Sequence, residues 1–369
     1  MSKPSALALA LGGIIGENAK QLGITQWLDT GIPELNKILS GSYDKGIPLG
    51  RLIEIFGPSS SGKTFIATMI MKAAQEAGGI AGFSDHERSF EPGLAESLGL
   101  NTDPNVGNFI YKRPLTFEES IAMAVTFCEQ VRKQKLIPED APLVWVFDSV
   151  ASMIPHEKLF DDKGNRRTAG DYNMRDKLAL AAATSQSYPI LAQFAEDYNM
   201  TVLLLNQIRT KPGVMFGDPT TTPGGNASEF YSSIRLSLGR SLITNGKKGD
   251  EKQVLGQEIT SYTVKNKVSR PFMKAKHRVL FREGGGADVD VIGSTLDFVI
   301  RKGFLEKSST GRIEWEGKKV TVNQLSVMLQ SDPDAMKKLM ALVPDTGDRV
   351  PEDVVESDIP TEPAGAETA

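Results

Sequence analysis

Gly57, Pro58, Ser59, Ser60, Ser61, Gly62, Lys63 and Thr64 satisfy the spacing G-x-x-x-x-G-K-[ST] at every specified position. In that pattern glycines let backbone N–H groups turn onto phosphate oxygens, the lysine reaches the terminal phosphates, and the threonine hydroxyl binds Mg2+. The chemistry implied is binding and hydrolysis of a nucleoside triphosphate; a serine-rich turn that binds nothing is the competing reading. Further along, the run LVWVFDS sets Asp148 at the end of an apolar strand pattern, where a carboxylate holds Mg2+ directly or through water. Residues 80–83 lead into Ser84, Asp85, His86 and Glu87. Glu87 can orient or deprotonate an attacking water with Asp85 and His86 behind it, or serve only as a helix-capping or surface acid. Residues 202–207 end in Asn206 and Gln207, whose amide can face a terminal phosphate. A long stretch rich in Gly and Pro then runs to Asn226, carrying Arg209, Lys211, Met215 and Phe216. Basic residues around an aromatic suit a nucleic-acid strand, by phosphate neutralisation and base stacking; a sheltered core aromatic is the alternative.

These residues need a frame. The phosphate loop lies between an apolar run at 52–56, suited to a buried parallel strand, and residues 64–77, apolar at helical spacing and stopped by Gly78 and Gly79. Similar short runs at 80–83, 109–111, 143–147, 202–205 and 234–238 alternate with helical stretches. That alternation predicts an α/β fold, a mostly parallel sheet covered by helices. Runs at 258–265 and 277–281 read as a later hairpin on the same sheet. After Gly284, Gly285 and Gly286 the pattern changes to short helices, a hairpin at 313–322 and a final helix at 335–342, a small α+β unit. The expected division is an N-terminal segment at 1–40, a core at 41–283, a C-terminal domain at 284–344 and a tail at 345–369. An apolar helix expected at 5–15, outside the core, must bury its face on a neighbouring subunit or on its own core. Cys128 and Trp145 read as core packing.

The chain has 369 residues, 40% of them hydrophobic and 24% charged, a soluble composition with no uninterrupted apolar stretch long enough for a membrane span. Its start lacks a basic leader and an obvious cleavage site, so a cytoplasmic location is the default expectation. Net charge is −4, yet from Asp345 onward eight acids face only Arg349, which leaves the body at about +3. A segment so acidic and so poor in large apolar residues is expected to be disordered. It acts as a solubilising tail or competes with a polyanion for a basic groove.

GPSSSGKT, SDHERSFEP at 84–92, VFDSVASM at 146–153, LNQIRTKPGVMFGDPTTTPGGNASEFY at 205–231 and TVKNKVSRPF at 263–272 occur in that order. Together they resemble the bacterial RecA recombinases, over about residues 31–342. The resemblance implies a RecA-like P-loop NTPase core, a small N-terminal polymerisation segment and a small α+β C-terminal domain. It implies a DNA-dependent ATPase that uses ATP and Mg2+, polymerises on single-stranded DNA as a helical filament, finds homologous duplex DNA and exchanges strands. By the same resemblance Glu87 activates water, Gln207 senses the γ-phosphate, and Lys265 and Lys267 reach a neighbouring protomer's ATP. Lys63 joins them as a catalytic group. Glu91 then contacts adenine and Phe230 lies at the subunit interface. Arg209, Lys211, Met215 and Phe216 belong to a DNA-binding loop that Gly224, Gly225 and Asn226 close. The chain departs from the family at Glu229, where a lysine is common, at Pro212 and Pro223, and across residues 154–176. There the first DNA-binding loop is expected, with Arg166 and Arg167 assigned to DNA beside Lys163. Such departures suit a phage-encoded or otherwise remote member acting in a bacterial cytoplasm, with single-strand-binding or mediator proteins as further partners. An ATP-switched DNA-binding filament or loader without strand exchange, and a ring-forming helicase, are the rival readings.

Overall fold

Alternating apolar side chains along four strand-forming segments fix the centre of the fold. The computed structural model describes residues 23–168, 178–210, 220–246 and 252–344. Strands numbered in chain order are β1 Trp27–Leu28, β2 Ile47–Pro48, β3 Leu52–Gly57, β4 Ile80–Asp85, β5 Phe109–Lys112, β6 Leu143–Asp148 and β7 Met200–Gln207. They continue with β8 Arg209–Thr210, β9 Thr220–Thr221, β10 Ile234–Thr244, β11 Val254–Asn266, β12 Lys274–Phe281, β13 Ala287–Asp290, β14 Ile313–Trp315 and β15 Lys318–Val320. Among the described residues nine of these form one sheet in the order β13-β12-β11-β10-β3-β7-β6-β4-β5. The six strands from β10 to β5 run parallel, and β10 to β13 pair antiparallel at the other edge.

Helices cover both faces, so the central strands are apolar on both sides, as a parallel sheet requires. Ile53, Ile55, Val144, Val146, Leu203 and Leu205 face one cluster with Ile66 and Ile70 of the helix Lys63–Glu76. Leu52, Leu143, Trp145, Phe147, Val202 and Leu204 face the other. There they meet Phe117, Ala124, Cys128 and Val131 of the helix Phe117–Lys133, and Tyr188 and Leu191 of the helix Ala179–Asp197. Each such large side chain taken out of water contributes about 1.5–3 kcal/mol. Cys128 and Trp145 are core residues, as expected, and burial pushes the Cys128 thiol up to about 12, which leaves it inert.

Two expectations about organisation change. The later part of the N-terminal segment belongs to the core: the helix Pro33–Ser40 contributes Leu35, Ile38 and Leu39 to the same cluster as the phosphate-loop strand. Glu34 on that helix accepts from the backbone N–H of Lys276 at 3.0 Å and pairs with Arg301, so strand, helix and C-terminal unit meet at one buried carboxylate. The expected helix at 5–15 and the acidic tail lie outside the described residues. At the other end, β13 pairs with β12 in the large sheet, so the sheet continues past residue 283. The helix Val291–Arg301, capped by Asp290, then leads into a separate cluster around Phe298, Ile313, Trp315, Leu325 and Leu339.

Candidate nucleotide site and nucleic-acid loops

The carboxyl ends of adjacent strands bring the predicted residues together. In register, Gly57 at the end of β3 lies opposite Gln207 at the end of β7, and Asp85 of β4 opposite Asp148 of β6. In parallel α/β sheets this end of the strands is where ligands bind. The phosphate loop needs its glycines: Gly62 has φ +94, and a Cβ there would meet Ile259 at 2.4 Å, while a Cβ on Gly57 would meet the Leu238 carbonyl at 2.5 Å. Gly62 ends the loop at the N-terminus of the 14-residue helix Lys63–Glu76, whose first amides and dipole favour an anion. The Lys63 Nζ donates to the Gly57 and Pro58 carbonyls at 3.0 and 2.8 Å, folded over its own loop.

A cavity of about 350 Å³ opens here, lined by Ser59, Ser60, Gly62, Lys63, Thr64, Glu87, Asp148 and Gln207, with Phe65, Arg240, Gln257 and Phe281. Thr64 Oγ1 donates to Asp148 Oδ2 at 2.8 Å. Burial first, then Glu87 and Asp85, push the Asp148 carboxyl up to about 6, against the Thr64 hydrogen bond and Lys63. A hydroxyl and a buried carboxylate gathered among further acids, with a lysine opposite, are the hard oxygen donors that Mg2+ takes beside phosphates. Glu87 is exposed toward the cavity; its Oε1 accepts from Gln207 Nε2 at 3.0 Å and from the Ser149 hydroxyl. Burial pushes the Lys63 ammonium below its ordinary value, opposed by Asp148 and Glu87.

The described ends of the long stretch after Gln207 are less irregular than its composition suggests. Arg209 and Thr210 pair with Thr221 and Thr220, an antiparallel neck at its base. Asn206, wholly buried, ties that neck to the sheet by donating to Glu54 Oε1 and to the Pro223 carbonyl, both at 3.0 Å. Gly224, at φ +90, accepts at its carbonyl oxygen from the Thr184 hydroxyl at 2.6 Å, and a Cβ on Gly225 would meet Ala181 at 3.0 Å. Asn226 precedes the helix Ala227–Tyr231. Lys211, Met215 and Phe216 lie outside the described residues. In the diverged segment, Arg167 donates from its backbone N–H to the Leu159 carbonyl at 2.8 Å, and Arg166 bridges to Phe160. Residues 154–168 therefore make a short folded excursion rather than an open loop. The helix Ala179–Asp197 carries the Thr184 and Ala181 that meet Gly224 and Gly225.

Three predicted residues stand apart from the cavity. Glu91 caps the helix Pro92–Ser97, accepting from the Gly93 N–H at 3.4 Å, and does not line the cavity. Lys265 and Lys267 sit at the end of β11, beyond the cavity wall, and donate to the Phe230 carbonyl at 3.2 and 3.4 Å. Phe230 beside them is 66% exposed. Conversely, Arg240, Gln257 and Phe281 were missed: they reach the cavity from β10, β11 and the end of β12. An aromatic closing a strand just before a glycine-rich turn is the one local signal that pointed to Phe281.

The family model described as the RecA N-terminal domain matches residues 15–286. Among curated relatives, Protein RecA of Thioalkalivibrio sulfidiphilus is 34% identical over 83% of this chain and 83% of its own length. Protein RecA of Geobacter sulfurreducens is 34% identical over 83% and 84%, and that of Pseudomonas fluorescens Pf0-1 is 32% identical over 92% and 90%.

Proposed function

The chain belongs to the RecA family, a DNA-dependent ATPase and ATP-dependent recombinase, and we propose how its residues divide that work. Gly57, Pro58, Ser59, Ser60, Ser61, Gly62 and Thr64 cradle the ATP phosphates, and Lys63 meets the charge that develops on them. Thr64 and Asp148, the latter through water, hold Mg2+, which supplies charge neutralisation at the phosphates. Glu87 orients and deprotonates the attacking water, and Gln207 senses the γ-phosphate. Phe281, 48% exposed on the cavity wall, stacks on the base together with a contact from Glu91. Lys265, Lys267 and the exposed Phe230 act across the boundary on a neighbouring protomer, so catalysis waits on assembly. Their position outside the cavity of their own chain supports that reading.

The observation that carries the coupling is the 3.0 Å hydrogen bond from Gln207 to Glu87, two residues before the neck that begins at Arg209. A γ-phosphate that draws the Gln207 amide away frees Glu87 for water and pulls on the base of the DNA loop in one motion. The residues we assign to DNA are Arg166, Arg167, Arg209, Lys211, Met215, Phe216, Gly224, Gly225 and Asn226, binding single-stranded DNA and then homologous duplex along a helical self-assembly. The proposed division is an N-terminal segment ahead of the helix Pro33–Ser40, a core from that helix through β13, a C-terminal domain from the helix Val291–Arg301 to residue 344 and an acidic tail at 345–369, acting in the cytoplasm. Among the described residues no helix is long and apolar enough to cross a membrane.

The test is ATP hydrolysis with and without single-stranded DNA at several salt and protein concentrations, for the parent and for Glu87→Gln. The parent is expected to be stimulated cooperatively by DNA, and Glu87→Gln to lose turnover about 10²-fold or more, as loss of a general base does, while ATP binding is retained. Hydrolysis indifferent to DNA removes the loop assignments. Loss of ATP binding in Glu87→Gln removes Glu87 from its role.

A further inference from the structure

The turn that carries Glu87 is held from behind by a buried carboxylate. Asp85 is 1% exposed. Its Oδ1 accepts from the backbone N–H groups of Arg88 at 2.6 Å and Ser89 at 3.3 Å. Its Oδ2 accepts from the Phe90 N–H at 3.3 Å and the Tyr111 hydroxyl at 2.7 Å. Three successive N–H groups converging on one carboxylate force the backbone to curl around it, and Arg88 takes φ 62 to do so. From the opposite side the N–H groups of His86 and Glu87 donate to the Asp148 carbonyl at 2.6 and 3.2 Å. The backbone of Glu87 is thus pinned between Asp85 and the end of β6.

The Asp85 anchor is itself supported. The register of β4 and β5 sets Tyr111 opposite Phe83, and its ring lies 6.4 Å from Phe83 and 5.5 Å from Phe90. Arg113 Nε donates to the Tyr111 hydroxyl at 2.7 Å and lies 4.0 Å from Asp85 Oδ2. A buried carboxylate keeps its charge at low cost only when its oxygens are fully hydrogen-bonded. Here the tyrosine hydroxyl, polarised by the guanidinium, occupies the lone pair that faces away from the turn. Tyr111 lines none of the cavity that holds Lys63.

We propose that Asp85 and Tyr111 form a brace that positions Glu87 for its water: Asp85 sets the path of residues 86–90, and Tyr111, backed by Arg113, fixes the orientation of the Asp85 carboxylate. The proposal rests on Glu87 acting on the attacking water, as above. Tyr111 is a positioning residue and acts through two others. Loss of its hydroxyl lets the carboxylate rotate and the turn relax, and misplacement of a reacting group by a fraction of an ångström is enough to cost an order of magnitude in rate.

The experiment uses the full chain with single-stranded DNA and compares Tyr111→Phe, Glu87→Gln and the double variant. Tyr111→Phe keeps the ring between Phe83 and Phe90, so folding is preserved and a thermal melt checks it. The expected result is a fall of about tenfold in kcat with KM for ATP within twofold of the parent, and no further loss when Tyr111→Phe is added to Glu87→Gln. Turnover within twofold of the parent, with Glu87→Gln inactive, overturns the brace and leaves Glu87 standing. Equal losses in both backgrounds overturn it too, because Tyr111 then acts apart from Glu87. Full activity of Glu87→Gln itself removes the underlying reading and the brace together.

Discussion

Arg235→Met isolates the buried charge on which the sheet and the β8–β9 neck both depend. Glu54 stands in the middle of β3 with no solvent exposure. The parallel register sets Arg235 of β10 beside it, Nε to Oε2 at 2.6 Å, and Asn206 of β7 reaches its other oxygen at 3.0 Å. The Arg235 side chain is 14% exposed and its guanidinium lies 4.9 Å over the Phe56 ring. Removing one partner of such a pair leaves an uncompensated buried carboxylate and costs about 3–5 kcal/mol, a large fraction of the roughly 5–15 kcal/mol that hold a domain together. For a chain of this size that lowers the melting temperature by roughly 4–6 °C. Urea denaturation followed by tryptophan fluorescence reads it directly, since Trp145 is 1% exposed in the core. High salt without nucleotide keeps self-association from adding apparent stability. Adding Glu54→Gln to Arg235→Met neutralises the orphaned charge and is expected to recover at least half of the loss. A cost below about 1 kcal/mol for Arg235→Met, or no recovery in the double variant, refutes the reasoning, because the pair would then not be a desolvated one.

His277, wholly buried on β12, has no hydrogen-bond partner at either ring nitrogen, and burial pushes its pKa down to about 4. Between pH 6.5 and 4 the unfolded chain takes up a proton that the fold refuses, so this group lowers stability as pH falls through that window. His277→Leu is therefore expected to gain about 2 kcal/mol on the parent at pH 5 and much less at pH 8, measured by urea unfolding at both; an equal gain at the two pH values contradicts the titration account. Lys265 has its ammonium pushed down to about 8 by burial, then by Lys267 and Arg235. About half of it is neutral at pH 8, against well under 1% for an ordinary lysine, so in the free protomer it should be acylated faster than the exposed Lys307, as mass spectrometry after brief labelling would report. Slower labelling of Lys265 than of Lys307 counts against that shift.

What the amino-acid sequence determined by itself is local. GPSSSGKT specifies its turn because a glycine at position 62 takes the φ of +94 that other side chains rarely adopt, information contained in a few neighbouring positions. The apolar runs of β3, β4, β6 and β7 were legible because period-two burial on both faces leaves an almost unbroken hydrophobic string, and Asp148 and Gln207 were legible as the polar residues that end two of those strings. The β8–β9 neck was hidden by its Gly- and Pro-rich composition, and the core role of the helix Pro33–Ser40 by its packing on β11 and β12, strands far along the chain from it. Only the tertiary structure decided which distant residues meet. Glu54, Asn206 and Arg235 form one network, Asp85 finds Tyr111 and Arg113, and Arg240, Gln257 and Phe281 reach the phosphate cavity from β10, β11 and β12, strands that follow β3 by well over a hundred residues. The physical reason is register. A side chain's neighbours across a sheet are set by hydrogen-bonded pairing between strands far apart in the chain, and no local periodicity carries that pairing.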